Sequence, residues 1–181
     1  MQRIQAAGES NEVGRRVFHT HWGWAGIAVS PKGVTRLVLP RSSRARVARE
    51  LGSAEGPSGE QGRTLLSRAQ TQVAEFLAGT RRALDLPMDL SEGTPFQRKV
   101  WRVALAIPYG RVRSYKWIAD RLGGTRYARA VGTALGANPV PILVPCHRVV
   151  AQDGSLGGFS GGLPVKRKLL TLEGTLSQLK S

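Results

Sequence analysis

The tightest constraint on the chain lies in a proline-spaced run near its middle. Pro139, Pro141 and Pro145 alternate with Val140, Ile142, Leu143 and Val144 and end against Cys146-His147-Arg148-Val149. Each proline fixes its own φ and pushes the residue before it towards an extended conformation. The segment reads as a stiff, apolar, extended arm that delivers Cys146 to a set place. Cys146 is the only cysteine, so no intramolecular disulfide can hold the fold. It is either a small buried hydrophobe or a nucleophile. The second needs a thiolate: His147 can act as base, and a cationic neighbourhood lowers a thiol's pKa.

The 181 residues suffice for one domain or two small ones, and 41% hydrophobic content fits a globular protein. No apolar run approaches the roughly 20 residues of a membrane span. Met1-Gln2-Arg3-Ile4-Gln5 carries no apolar signal core, and a free thiol suits a reducing interior, so a cytoplasmic protein is expected. Lys and Arg number 27 against 12 Asp and Glu, a formal charge of +15. That excess favours a polyanionic partner, nucleic acid first. No basic amphipathic helix with a bulky apolar face points to a membrane surface.

Residues 1–14 read as a loose end. Val17–Trp22, Ala25–Val29 and Val34–Leu39 read as three short strands of an antiparallel meander, with turns at Gly23-Trp24 and Ser30–Gly33. A short helix is expected around Ala45–Leu51, and Gly52–Gly62 reads as a loop. Leu65, Leu66, Ala69, Val73, Phe76 and Leu77 share one face at helical spacing. Leu84–Met88 reads as an edge strand.

The second half reads as mostly helical. Thr94 caps a helix with Pro95 at its first position and a buried stripe of Phe96, Val100, Trp101, Ala104 and Leu105. Ser114 caps the next, with Ile118, Ala119 and Leu122 inward and a stop at Gly123-Gly124. A third runs from about Thr125 to Ala137. The last two read as a helix-turn-helix or as an ordinary helical hairpin. The third helix has an apolar face of Tyr127, Ala130, Val131, Ala134 and Leu135. Its other face carries small residues, Ala128, Gly132 and Gly136, beside Arg129 and Thr133. Such a face admits either a DNA groove or another helix.

Several of these stretches together, Ile107-Pro108-Tyr109-Gly110, Ser114-Tyr115, Arg129-Ala130-Val131-Gly132, Asn138-Pro139, Pro145-Cys146-His147-Arg148-Val149 and Phe159-Ser160-Gly161-Gly162, resemble the signature of the O6-alkylguanine-DNA alkyltransferases (methylated-DNA–protein-cysteine methyltransferases). The resemblance runs from about Thr94 to Gly174. The first half matches only in length and pattern.

The resemblance implies an α/β protein. Residues 1–90 would form a ribonuclease H-like domain, an antiparallel β-meander with a packed helix. Residues 91–181 would form a mostly helical domain with a helix-turn-helix. It implies direct repair, an irreversible single-turnover transfer of the alkyl group of O6-alkylguanine, and of O4-alkylthymine, to Cys146. The partner would be double-stranded DNA, held through the minor groove with the base flipped out, by a monomer without cofactor.

In this reading His147 activates the thiol, Glu173 orients the imidazole, Tyr115 rotates the nucleotide and donates to guanine N3, and Asn138 braces the turn before the cysteine arm. Arg129 fills the gap in the stack. Tyr115, Lys116, Gly124, Ala128, Gly132 and Gln152 meet the DNA, and Leu135, Phe159, Ser160 and Gly161 line the alkyl pocket. From the sequence alone Glu173 also fits a solvated helix-end acid. Position 159 is Phe where many relatives have Tyr. His19 and His21, on a predicted strand, are too few to hold the structural zinc of some relatives, so no metal is expected. A helix-turn-helix regulator or lesion sensor, and a Cys-His hydrolase unrelated to DNA, remain the alternatives.

Overall fold

The computed structural model describes residues 13–52 and 59–179. The expected loose end before Val13, and the central part of the expected loop before Glu60, lie outside them. Strands β1 (Gly14–Thr20), β2 (Gly23–Ser30) and β3 (Gly33–Arg41) form an antiparallel meander in sequence order. The first turn falls at His21-Trp22, not Gly23-Trp24: Gly23, at φ 119°, already pairs with Thr20 and opens β2. His21 thus leaves the strand, and His19 lies edge-on to Trp24, with ring centroids 5.1 Å apart.

Both faces of this sheet are covered. Ala25, Ile27 and Val29 of β2 point into the main core with Leu66, Ala69, Val73, Phe76 and Leu77 of α2 (Glu60–Leu77). Ala28, with Val38 of β3, points the other way, onto Val47 and Leu51 of α1 (Arg44–Leu51). That alternation is the period-2 pleat of a strand, and it explains why β2 is apolar throughout. Gly26 lies on the α1 face, where a Cβ would come within 2.7 Å of Val47 Cγ1; the small residue lets the helix approach. Leu84–Met88 makes only one isolated bridge, Val34 to Met88, rather than a strand. Val34 N donates to Pro87 O at 2.8 Å, and Asp89 N to Val34 O at 3.0 Å.

Helix α3 (Pro95–Leu105) starts on a capping box between Thr94 and Gln97, with Pro95 in its first turn. Val100, Trp101 and Ala104 are buried, but Leu105 is 40% exposed. Ile107, just past the helix, is buried in the core instead. A strand, β4 (Arg113–Ser114), then leads into α4 (Tyr115–Arg121), which Ser114 caps by accepting from Trp117 N. The expected third helix is broken: a 3-10 turn over Thr125–Tyr127 precedes α5 (Ala128–Gly136). Val131, Ala134 and Leu135 are buried, whereas Ala130 is exposed and belongs to the outer face with Arg129, Thr133 and Gly136. The indole N–H of Trp101 donates to Ala134 O at 2.8 Å inside the core and locks α5 on α3.

The segment before Cys146 is not an extended arm. Ile142 sits at φ 75°, Val144 N donates back to Val140 O at 2.9 Å, and Cys146 N to Val144 O at 2.8 Å. The prolines fix φ, but these local main-chain hydrogen bonds and the left-handed Ile142 coil the run into turns. Pro139 O accepts from Leu37 N of β3 at 2.9 Å, which ties the segment to the sheet. Cys146–Arg148 forms a 3-10 turn and β5 (Val149–Val150) follows, pairing in parallel with β4. Helix α6 (Leu163–Leu172) closes the fold. No helix among the described residues is long and apolar enough to cross a membrane.

Candidate active site

The β4–β5 pairing sets the site. Arg113 aligns with Val149 and Ser114 with Val150, so the start of α4, with Tyr115, is fixed beside the turn that carries Cys146. The thiol is buried at 4% exposure. Asn138 Nδ2 donates to Cys146 Sγ at 3.1 Å and to Val144 O at 2.9 Å, while Asn138 Oδ1 accepts from Val140 N at 3.0 Å. One buried side chain therefore holds both the coiled proline run and the sulfur.

His147 is fully buried, and its Nε2 lies 2.8 Å from Glu173 Oε1. Glu173, the C-cap of α6, is buried rather than solvated. It also accepts from Arg148 Nε at 3.0 Å and Nη2 at 3.0 Å, and from Gly110 N at 3.1 Å. Burial pushes the Glu173 carboxyl up, but the hydrogen bonds and charges of His147 and Arg148 outweigh it and hold it below the ordinary carboxylate value. An ionised carboxylate only accepts, so Nε2 of a neutral His147 carries the proton. Burial keeps that imidazole neutral by pushing its pKa down. Nδ1 is then a lone-pair acceptor, and among the described residues it has no partner.

The thiol departs from its sequence-based expectation. Burial raises the Cys146 pKa and outweighs the opposing pull of the Asn138 hydrogen bond and the Lys166 charge. The neighbouring guanidinium of Arg148 is committed to Glu173 and to Ile107 O, at 2.7 Å. At rest the site holds a thiol, a neutral imidazole and an ionised carboxylate.

Tyr115 is half-buried and donates to Gly158 O at 3.1 Å; burial raises its pKa, so the hydroxyl keeps its proton. Gly132 of α5 faces its ring, where a Cβ would sit 3.8 Å away. Phe159 is half-buried against the core, and a Cβ at Gly161 would lie 2.7 Å from both Phe159 and Leu39. Leu135 is a core residue. Lys116, Arg129, Gln152 and Ser160 are exposed, and Gly124 and Ala128 half-buried. Among the described residues, no three His, Cys, Asp or Glu side chains group as metal ligands.

The 6-O-methylguanine DNA methyltransferase DNA-binding domain model matches residues 95–175. A methylated-DNA–protein-cysteine methyltransferase of Mycobacterium tuberculosis is 50% identical over 107 residues, 59% of this chain and 64% of its own length. That of Salmonella typhimurium is 47% identical over 105 residues, 58% and 61% of the two chains. The match thus spans under two-thirds of these relatives. The fold matches that of Mycobacterium tuberculosis OGT, crystallised in complex with DNA, at TM-score 0.74 and 38% identity, covering 93% of this chain and 96% of that one. The chain belongs to the methylated-DNA–protein-cysteine methyltransferase family. An O6-methylguanine-DNA methyltransferase from Pyrococcus kodakaraensis gives TM-score 0.63 at 25% identity, over 90% of this chain and 99% of that one.

Two residues of this site escape sequence reasoning. Arg148 holds Glu173 in place from inside the core. Lys166 is fully buried and donates to Val149 O at 2.6 Å, Leu156 O at 2.5 Å and Gly158 O at 3.2 Å. Burial pushes its pKa down to about 8. A lysine on the inward side of α6 was the only available signal.

Proposed function

We propose that this protein repairs O6-alkylguanine in double-stranded DNA by moving the alkyl group irreversibly to Cys146 Sγ. The observation that carries this reading is the buried His147–Glu173 pair next to the buried Cys146, with Nδ1 of His147 left as an acceptor. Nδ1 takes the thiol proton, directly or through one water, and Glu173 stabilises the resulting imidazolium. Asn138 donates to the developing thiolate. The sulfur attacks the alkyl carbon, the carbon–O6 bond breaks, and its electron pair leaves on guanine. Tyr115, kept protonated by burial, exchanges Gly158 O for guanine N3 and supplies the proton the leaving base needs. The thioether offers no route back, so each molecule acts once. O4-alkylthymine, whose leaving oxygen is chemically similar, is a second substrate in the same reading.

The base must leave the duplex to reach a buried thiol. In this proposal α4 and α5 act as a helix-turn-helix. The outer face of α5 meets the minor groove through small residues, and Arg129 fills the vacated stack. Lys116, Gly124, Ala128 and Gln152 flank that contact, and Leu135, Phe159, Ser160 and Gly161 border the alkyl pocket. Residues 1–90 form a ribonuclease H-like α/β domain that supports the active domain, residues 91–181, through the Leu37–Pro139 hydrogen bond. The protein works as a cytoplasmic monomer.

Intact mass after incubation with duplex O6-methylguanine tests the reading. One added methyl at Cys146 is expected. DNA binding without a mass change would favour a lesion sensor or regulator.

A further inference from the structure

The surface of α4 and of the turn before α5 carries arginines stacked on aromatic rings. Arg121 lies over Trp117, its guanidinium carbon 3.5 Å from the ring centroid, and Arg113 lies 5.5 Å from the same centroid. Arg126 lies 4.9 Å over Tyr127 and donates to its hydroxyl at 3.1 Å. Both rings are anchored. Trp117 packs on the main core, and Tyr127 packs on Phe96 of α3 with centroids 6.2 Å apart. Guanidinium stacking fixes the orientation of a side chain that would otherwise sample many rotamers.

The charges of these arginines are unanswered. In the first half Arg41 and Arg46 pair with Glu50, Arg68 with Asp85 and Arg81 with Glu75. Among the described residues, none of Arg113, Arg121 and Arg126 is ion-paired. Of the 12 acidic residues only Glu92, Asp120, Asp153 and Glu173 lie beyond residue 90, and Glu173 is buried with Arg148. Three exposed cations, oriented by fixed rings and left without carboxylates, are complementary to a row of phosphates.

We infer that Trp117 and Tyr127 are mounting plates that present Arg113, Arg121 and Arg126 to the phosphates of the DNA backbone. The inference rests on the DNA-repair reading and adds to it a backbone clamp at the mouth of the helix pair. Arg113 commits one N–H to Val112 O, Arg121 one to Trp117 O and Arg126 one to the Tyr127 hydroxyl; the remaining N–H groups of each guanidinium can meet phosphate oxygens. Such contacts set register and affinity without reading sequence.

Affinity of the full-length protein for an undamaged duplex, measured by fluorescence anisotropy across a salt series, tests the clamp. Arg113→Gln, Arg121→Gln and Arg126→Gln should each weaken binding several-fold and flatten the plot of log affinity against log salt by about 0.9. Arg46→Gln, the same charge change at an arginine paired with Glu50, should leave the slope near the wild-type value. Trp117→Leu keeps every charge yet should weaken binding as an arginine loss does, and Trp117→Tyr should restore it. The clamp is overturned if Arg46→Gln flattens the slope as much as Arg121→Gln, or if Trp117→Leu binds like wild type with an unchanged melting temperature. Alkyl transfer by the wild type is scored separately by mass. A wild type that takes no alkyl group sinks the repair reading alone, because the slopes report backbone binding.

Discussion

Glu173→Gln removes one charge and keeps the shape, and the structure says what that costs. The carboxylate takes hydrogen bonds from His147, Arg148 and Gly110. Its side chain is fully buried and that of Arg148 is 9% exposed. Breaking a buried pair by removing one partner costs about 3–5 kcal/mol, because the other charge is left uncompensated. Arg148 keeps its bond to Ile107 O, and the glutamine oxygen can still accept from Nε2, so about 3 kcal/mol is expected. For a chain of this length that lowers the melting temperature by roughly 6–12 °C. The chemistry should suffer as well, since an imidazolium facing a neutral amide loses its counter-charge. Alkylation by free O6-benzylguanine, followed by mass at a temperature where the variant stays folded, should slow by about a hundredfold. Arg148→Met should destabilise by a similar amount through the opposite orphan. The double variant has neither charge, so its loss should fall well short of the sum of the single losses. Additive losses, or a Glu173→Gln variant with wild-type melting and a rate within twofold of wild type, would refute the picture of one coupled buried network.

Cys146→Ala should abolish alkyl transfer while leaving duplex affinity nearly unchanged, because affinity comes from phosphate contacts; residual stoichiometric labelling by mass would rule out Cys146 as acceptor. Arg129→Ala should slow repair of duplex DNA at least about tenfold more than reaction with O6-benzylguanine, since extrusion costs a few kcal/mol and the free base needs none; equal slowing would make Arg129 structural. Acid should destabilise the fold in two stages. His147 is held below its ordinary value, so its contribution is complete above about 6.5 and is lost as pH falls below that. Glu173 is also held low, so its contribution is lost below about 4.3. Urea midpoints between pH 8 and about 2.5 check this; flat midpoints from pH 8 to about 5 would contradict the His147 shift, and flat midpoints below about 4.3 would contradict the Glu173 shift.

What the sequence disclosed follows the range of each interaction. The caps at Thr94 and Ser114 and the α2 stripe depend on neighbours within one or two turns, and they fall where the residues predict. The stripe of α3 fails at Leu105 because the chain leaves the helix there, and Ile107 takes the buried place. The α5 face fails at Ala130, where a methyl group is too small to force burial. The cysteine segment fails for a different reason. Prolines set φ, but the turn at Ile142 is closed by Val144 N on Val140 O, braced by the buried Asn138 side chain and anchored to Leu37 of distant β3; the proline spacing announces none of these contacts. Glu173 looks like a solvated acid until α6 folds its end onto the Cys146–Arg148 turn.

The largest reversal is in the sign of the thiol's pKa, and it bears on how such a site is used. A cysteine followed by His147-Arg148 looks electropositive. In the fold Arg148 is cancelled by Glu173, His147 is neutral, and Lys166, whose charge acts on the thiol, donates its protons to three carbonyls. Burial then decides, and the resting sulfur stays protonated. Under the proposed single-turnover repair, a protein consumed by one reaction would gain from that arrangement. A standing thiolate would react with any small electrophile that reached it, and each such event would remove a molecule permanently. In the proposed mechanism the protonated thiol becomes nucleophilic only when its proton moves to Nδ1 of His147, and the bound base would assist by accepting a proton from Tyr115 as its own bond breaks. Reactivity is thereby tied to occupancy, with the cost of ionising the sulfur met in the complex instead of in the free protein.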